Sequence, residues 1–374
     1  MQGLCFFDAI VKFILVLYRF LQFLKRIIFT PMRFVLLGFF FISFLPSLGQ
    51  GLKVPLPTVE TYEYDTSYIE SFNSKFALRF VIPRRIENFS IKDTRSNKKY
   101  NYSSNEHYGV GIGFTYRWLA VDMTINPDFT QRDVTRYGNT KEFNLKGSAY
   151  LKRNLLDVYL RSYKGYYISN PSDIFSEWDS EQPYPQRQDI RTLGWGINYT
   201  IPFNWKKYSP KVTFVLDGKL KKSAGSFMAI SSAYFYHLRA DSSITDNLFA
   251  PEGQIHAANM ALLSGLFGYA YTFVYKDFYA TLSAFPGLTL PIGTVYSTAG
   301  SEHPRFTANF KLMLRGGIGY NSDRWYTGIY VIFDVNQVQL PDNILLGNGI
   351  GEIRFFIAYR LKPPKVVDKV MDKL

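Results

Sequence analysis

The most constraining feature of the sequence is residues 307–335, where apolar and polar side chains alternate with a period of two. Successive side chains of a strand point to opposite faces, so this pattern predicts two long strands joined by a polar turn at 321–323. Lys311, Arg315 and Asp334 fall on one face among glycines. The other face is almost wholly apolar and aromatic: Ala308, Phe310, Leu312, Leu314, Ile318, Tyr320, Trp325, Thr327, Ile329, Val331, Phe333 and Val335.

The length of these strands indicates a membrane protein. Strands in soluble β-sandwiches usually run about five or six residues, whereas a tilted strand needs about 9–11 residues to cross a bilayer. Lys or Arg facing lipid at mid-membrane costs about 2–4 kcal/mol. A register slip of one residue would turn Lys311 and Arg315 to the lipid, at a cost of roughly 4–8 kcal/mol. The pattern therefore predicts an all-β fold, an antiparallel transmembrane β-barrel with a defined lipid face.

Composition excludes several other classes of protein. A helical membrane protein would show runs of about twenty apolar residues, and no such run follows residue 50. The net charge of +13 is spread along the chain, without the basic stripe or fold motif of a nucleic-acid-binding protein, so no nucleic-acid partner is expected. The single cysteine, Cys5, lies in a segment that we expect to be removed, which excludes disulfides from the exported chain.

The N-terminus has the features of an export signal. Arg33 precedes an apolar run, and small residues follow at 47–50, in the order of a basic region, an apolar region and a cleavage site. We therefore assign residues 1–49 to a signal segment. Residues 1–31 are either a mis-assigned extension upstream of a true start at Met32, or part of a long signal or inner-membrane anchor. The apolar run before Pro46 is short for a membrane span, which argues against the anchor.

Alternation along the rest of the chain predicts a barrel over residues 75–361, between a periplasmic lead-in (50–74) and a periplasmic tail (362–374). Single-chain bacterial barrels have an even number of strands. Twelve strands result if residues 221–256 are an external excursion, and fourteen if that segment adds a hairpin. Pro83 should end the first strand. The twelve predicted strands are 75–82, 109–117, 119–125, 143–151, 156–163, 192–201, 211–219, 259–275, 278–290, 307–320, 325–335 and 352–361.

Five short motifs along the chain point to a known family. They are YDTSYI at 64–69, GVGIGFTYRW at 109–118, YKGYY at 163–167, SAGSF at 223–227 and GYAYT at 268–272. Together they resemble domain of unknown function 4421, a family of Bacteroidota, over roughly residues 60–361. The resemblance implies an outer-membrane β-barrel. It implies no established activity and therefore no catalytic residues.

The charged residues of the predicted inner face are the first candidate site. Rings of Arg and Lys favour anions, so these residues could line an aqueous or anion-selecting path. They could equally form a structural ion-pair network that fills a small barrel. The set is Lys75, Arg79, Arg117, Asp122, Lys146, Asp157, Arg161, Lys211, Asp217, Lys219, Lys311, Arg315, Asp334, Glu352 and Arg354.

Histidines and aromatic residues are weaker candidates. Ser301 with His303, or His237 with Asp241, could form a catalytic pair at a rim, but such a pair is defined by geometry and not by sequence proximity. Those two histidines, with His107 and His256, lack metal-ligand spacing, so neither a metal nor a cofactor is expected. A membrane girdle is favoured over a sugar platform for the aromatic residues near strand ends: Tyr163, Tyr166, Tyr167, Tyr269, Tyr271, Phe273, Tyr275 and Trp325.

The function expected from the sequence is that of a small pore or a structural, surface-exposed barrel in the bacterial outer membrane. Its partners would be outer-membrane lipid and, during assembly, the barrel-assembly machinery and periplasmic chaperones. Loops 166–187, 221–256 and 291–305 would be exposed outside. An outer-membrane lipid or peptide hydrolase with a rim active site is one alternative, although an enzyme is disfavoured. A soluble secreted barrel that binds a small ligand is the other.

Overall fold

A computed structural model describes residues 64–371, except 106, 152, 216–217, 246–248, 250, 305–306 and 341–342. Short helical segments in this part are Asp128–Thr130, Val134–Tyr137 (α1), Pro171–Asp173, Lys211–Val215, Pro251–Gly253 and Lys365–Met371 (α2). No helix among the described residues has the length and apolar character needed to cross a membrane. The strands are β1 (Ile69–Ser71), β2 (Phe76–Asp93), β3 (Lys99–Ser103), β4 (His107–Tyr108), β5 (Val110–Tyr116), β6 (Leu119–Ile125), β7 (Lys141–Leu151), β8 (Asn154–Ile168), β9 (Gln186–Pro202), β10 (Gly218–Leu220), β11 (Ala224–Arg239), β12 (Ile255–Tyr275), β13 (Phe278–Ser297), β14 (Gly300–Glu302), β15 (Asn309–Asn321), β16 (Trp325–Gln339) and β17 (Ile344–Leu361).

Twelve of these strands form a closed antiparallel ring, which confirms the predicted fold class and strand number. The order around the ring is β2, β5, β6, β7, β8, β9, β11, β12, β13, β15, β16 and β17, and β17 pairs with β2 to close it. Closure leaves no free sheet edge, so the backbone polar groups of the wall bond to one another. This is the condition that a β-structure must meet in lipid.

The two ends of the ring differ in their connections. At one end, short turns join β5 to β6, β7 to β8, β12 to β13 and β15 to β16. Arg117 and Lys276 take positive φ values of 52° and 55° in two of these turns. We call this end, which also carries the connection 203–223 between β9 and β11, the turn end, and the opposite end the loop end.

The outer face of the ring is apolar over a broad band, and the inner face is polar. Leu282 on β13 is 71% exposed, whereas its neighbours Thr281 and Ser283 are buried. Lys311 and Arg315 are buried on the inner face, as the alternation predicts. The apolar side chains exposed on the wall include Phe80, Ile112, Phe227, Phe267, Phe273, Phe278, Leu288, Phe310, Ile318, Phe333, Phe355 and Ile357.

Pro83 does not end the first strand, contrary to the prediction. β2 continues through it to Asp93. Proline lacks a backbone N–H and is tolerated where no ladder bond is required. Pro83 lies between the β2 residues that pair with β5 and those that pair with β4, and its carbonyl still accepts a hydrogen bond from Gly109 N at 2.7 Å.

The seventh strand was also predicted in the wrong place. Lys211–Val215 is a single π-helical turn, and β10 pairs only with β1. The ring is instead completed by β11, inside the segment 221–256 that was predicted to be external. Serine and alanine occur on both faces of β11, which weakens its alternation. Val212 is apolar because it packs with Ile69 and Leu220 in a small buried cluster. The sequence pattern alone predicts a strand at this apolar position.

Candidate functional site

A chain of six charged side chains runs along the inner face of one arc of the wall, from β17 to β7, with opposite charges alternating. Its members, in order of contact, are Glu142, Arg85, Glu352, Arg354, Asp122 and Arg79. The successive N–O distances are 2.6, 2.5, 2.6, 3.0 and 2.8 Å. These residues lie on β7, β2, β17 and β6, so the chain links strands that are not all neighbours in the ring.

Burial makes this chain structurally important. The side chains of Arg85, Glu142 and Glu352 are only 1%, 2% and 4% exposed. Arg85 also donates to Thr124 Oγ1 at 2.8 Å, and Arg79 donates to Thr115 Oγ1 at 2.7 Å. Removing one partner of a buried pair leaves an uncompensated charge in a medium of low dielectric constant. The chain therefore acts first as a network that holds the interior together.

A second charged group centres on Asp157 of β8. Its Oδ1 accepts a hydrogen bond from Ser148 Oγ at 2.6 Å and lies 3.9 Å from Lys146 Nζ. Its Oδ2 lies 3.9 Å from Arg315 Nη1, which reaches it from β15. Asp157 thus faces two cations at distances longer than a hydrogen bond.

Arg161 and Lys311 differ in how well they are paired. Lys311 is 1% exposed and lies 3.3 Å from Asp334. Arg161 has no carboxylate within 4.0 Å in the described part of the chain, and its guanidinium lies 4.8 Å from the ring centre of Tyr159. Its Nε is buried without a hydrogen-bond acceptor. Arg161 is therefore the cation of the interior that ion pairing satisfies least.

A plug closes the turn end of the barrel. We define the plug as residues 203–223 together with β1, which pairs with β10. Tyr208 is fully buried among inward residues of the wall, including Met228, Phe285 and Met313. Lys211 Nζ lies 4.8 Å from the Tyr150 ring on β7, and the Phe214 ring lies 5.4 Å from the Arg315 guanidinium on β15. Since β7 and β15 are opposite strands of the ring, the plug spans its full width.

Polar contacts tie the plug to the turns of the barrel. Lys211 Nζ donates to Arg117 O at 2.7 Å, and Asn321 Nδ2 donates to Gly218 O at 2.8 Å. Lys219 Nζ donates to Asp277 Oδ1 in the turn between β12 and β13, and this hydrogen bond holds the pKa of the Asp277 carboxyl below its ordinary value. Burial raises the pKa of the Tyr208 hydroxyl to about 12.

The loop end is closed by a buried aromatic and aliphatic cluster. It leaves a cavity of only about 30 Å³, measured as the space that the centre of a water molecule can reach. A space of this size holds one or two waters and no larger ligand. Members of the cluster include Phe89, Ile91, Tyr100, Tyr102, Tyr166, Tyr236, Leu238, Ile244, Phe249, Ile255, Met260, Val338, Leu340 and Ile344.

The structure divides the residues predicted to line the lumen into two groups. Lys75, Arg117, Lys211 and Lys219 lie at the turn end or in the plug, and Lys75 Nζ donates to Asp323 O at 3.1 Å. Asp217 lies outside the described residues. The residues brought together in the interior are Arg79, Asp122, Lys146, Asp157, Arg161, Lys311, Arg315, Asp334, Glu352 and Arg354.

Sequence reasoning missed Arg85, Glu87 and Glu142, three of the buried charges of the interior. Arg85 and Glu87 continue the period-two alternation of Phe76–Asp93 beyond Pro83. They were missed because the predicted strand ended at the proline. Glu142 was missed because the predicted strand began at residue 143, whereas β7 begins at Lys141.

The aromatic candidates divide between the outer face of the ring and its interior. Phe273, Tyr275 and Trp325 are 62%, 73% and 49% exposed on the outer face near the turn end, as a girdle requires. The girdle assignment is wrong for Tyr163, Tyr166 and Tyr167, which are buried and belong to the interior or its loop-end cover.

Neither catalytic pair suggested by the sequence is formed in the described structure. His303 Nδ1 lies 2.7 Å from the carbonyl oxygen of Gly293, and His237 contacts Asn259. The backbone N–H of Asp241 donates to Asp189 Oδ2 at 3.1 Å. The geometry therefore offers no support for a histidine-based active site at these positions.

Residues 63–361 match the family described as domain of unknown function 4421. The chain belongs to that family. The match begins six residues before β1 and ends at the last residue of β17, so it covers both the plug and the ring. No curated protein matches the sequence.

Several solved outer-membrane barrels are similar to this family member at low identity. The outer membrane protease OmpT from Escherichia coli is 8% identical with a TM-score of 0.36, covering 81% of this chain and 100% of OmpT. The translocator domain of the autotransporter NalP from Neisseria meningitidis is 10% identical with a TM-score of 0.31, covering 79% and 90%. The β domain of the Bordetella autotransporter BrkA is 11% identical with a TM-score of 0.30, covering 77% and 99%. No functional role is transferred at these values.

Proposed function

We propose that this chain is a bacterial outer-membrane β-barrel that is closed to solutes in this conformation and has a structural or surface-exposed role. The observation that carries the proposal is the plug, whose Lys211 and Phe214 contact opposite walls of the ring. The Asp157–Arg315 contact, which joins β8 to β15 across the interior, adds a second obstruction. An open diffusion pore would need a continuous aqueous path, which these two obstructions interrupt.

The outer face supports the membrane location. Large apolar side chains such as Leu282 and Phe278, 71% and 59% exposed, would be costly for a soluble barrel. The same side chains suit a lipid-facing band, with aromatic residues near its edge. This argues against the soluble, secreted alternative. Outer-membrane lipid is then the direct partner, and barrel-assembly machinery and periplasmic chaperones are required for its insertion.

A gated pore is the second candidate, and the nature of the plug contacts favours it over a hydrolase. The plug is one connection of the ring, and single polar contacts such as Lys219–Asp277 and Asn321–Gly218 tie it to the turns. Its displacement would open the turn end, although the Asp157–Arg315 contact would still have to separate.

Liposome swelling distinguishes the closed barrel from a pore. The refolded mature chain is reconstituted into liposomes, which are diluted into isotonic solutions of small sugars. A closed barrel gives the swelling rate of empty liposomes, whereas an open pore gives faster swelling that declines with sugar size. Sucrose-gradient fractionation of cells that produce the chain tests the location, because recovery in the inner-membrane or soluble fraction contradicts the proposal.

A further inference from the structure

The cations around Asp157 exceed the carboxylates that can neutralise them. Lys146 and Arg315 each lie 3.9 Å from this one carboxylate, and neither has another carboxylate within 4.0 Å among the described residues. Arg161 lies on the same inward face of β8, two residues beyond Tyr159. It has no carboxylate within 4.0 Å among the described residues. Two cations thus share the Asp157 carboxylate at 3.9 Å, and a third cation, Arg161, has none so close.

Hydrogen-bond donors in the same region also lack acceptors. Nε of Arg161, Nε of Arg315 and Nδ2 of Asn144 are buried without a partner in the described structure. Arg315 and Asn144 are only 6% and 4% exposed. A buried donor without an acceptor loses the hydrogen bond that water supplies to it in the unfolded chain. An additional acceptor would therefore satisfy these donors, whereas Asp157 Oδ2 is an acceptor that is itself buried without a hydrogen-bond donor.

The register of β7 and β8 places these groups around one space. Lys146 is paired with Tyr159 and Asn144 with Arg161 across the two strands, all with inward side chains. Arg315 extends from β15 toward Asp157, the carboxylate that Lys146 also approaches. The Lys146 side chain remains 24% exposed although it points inward, so open space adjoins it.

We propose that this space binds a small inorganic anion such as chloride, held by Lys146, Arg161 and Arg315. The anion would accept hydrogen bonds from the unpartnered Nε atoms and the Asn144 amide, and it would offset the excess positive charge. A cation is disfavoured because Lys146 and Arg315 already face the Asp157 carboxylate. The plug below and the apolar cluster above leave no route for a large polyanion. The site concerns the interior of the folded barrel and does not depend on whether the barrel conducts.

Bromide is the probe for the site, because it replaces chloride and scatters anomalously. Crystals of the refolded barrel grown in sodium bromide should show an anomalous peak in the interior beside Lys146 and Arg161. The peak should persist in the control Lys164→Gln, which removes an exposed lysine from the same strand. It should disappear in the double variant Lys146→Gln/Arg161→Gln. A wild-type interior without a bromide peak overturns the proposal.

Thermal unfolding gives a second measurement that does not need crystals. At equal ionic strength, chloride should raise the unfolding temperature of the wild type above its value in gluconate, with a rise that saturates. The rise should be retained in Arg161→Lys, which keeps the charge, and lost in Arg161→Gln. Heat-modifiable migration on gels verifies that each variant is folded. Equal unfolding temperatures in both salts, or a chloride effect that survives in Arg161→Gln, contradicts the site.

Discussion

Arg315 Nη1 on β15 lies 3.9 Å from Asp157 Oδ2 on β8, although four strands separate them on one side of the ring and six on the other. The two side chains therefore meet across the interior and not along the wall. Opposite charges thus bridge the interior at this level as well as lining its wall.

The two charged groups should differ in their sensitivity to mutation. Arg85→Gln should lower the free energy of unfolding by about 3–5 kcal/mol, because Glu142 and Glu352 both lose a buried partner. Arg315→Gln should cost less, since Asp157 keeps Lys146. Urea-dependent folding into phospholipid vesicles measures both values. Arg153→Gln, at an exposed turn position, is the control and should lie within about 0.5 kcal/mol of the wild type. A larger loss for Arg315→Gln than for Arg85→Gln would contradict this ranking.

The lipid-facing band makes an independent prediction. Leu282→Arg places a cation on the outer face of β13 and should destabilise the folded barrel in vesicles by about 2–4 kcal/mol. The same substitution at Ser301, an exposed residue of β14, should have little effect because water remains available there. Equal effects at the two positions would mean that the band around Leu282 does not face lipid.

Docking of the plug should depend on Tyr208. Tyr208→Ala removes a fully buried ring from contact with wall residues such as Met228 and Met313. Amide hydrogen exchange over residues 204–215 should become faster in this variant while exchange in β12 and β13 stays unchanged. Tyr208→Phe keeps the ring and should exchange like the wild type. Unchanged exchange in Tyr208→Ala would show that the ring does not hold the plug in place.

The Lys219–Asp277 contact predicts a dependence on pH. The pKa of Asp277 is lowered in the folded state by its hydrogen bond with Lys219, so its stabilising contribution is fully present above the ordinary carboxyl pKa. That contribution is lost as the pH falls through the lowered value. The wild type should therefore have a higher urea midpoint than Asp277→Asn at pH 6, and the difference should shrink on acidification below about pH 4. A difference that is constant down to pH 2 would contradict this assignment.

The sequence predicted the ring well because lipid imposes a strict alternation on its strands. Lys311 and Arg315 cannot face lipid cheaply, so the register of β15 follows from residue chemistry alone. The total of twelve was right although one strand was misplaced, because residues 211–219 were counted as a strand in place of β11 and the even-number condition was still met.

The plug and the ion-pair chain could not be predicted in the same way. Val212 and Phe214 are apolar because they pack inside the barrel, and local alternation does not distinguish such contacts from a lipid-facing strand. The partners of Arg85 come from β7 and β17, which lie 57 and 267 positions away along the chain. Only the closed ring brings these residues together.

Single-channel recording in a planar bilayer tests the central claim, that the barrel is closed, most directly. The folded, inserted wild-type chain should produce no discrete conductance steps, whereas replacing residues 204–222 by a short turn should destabilise closure and produce brief openings. Frequent, anion-preferring steps from the wild type that shrink in Lys311→Glu and Arg315→Glu would contradict it, because they would require an open path through the charged interior.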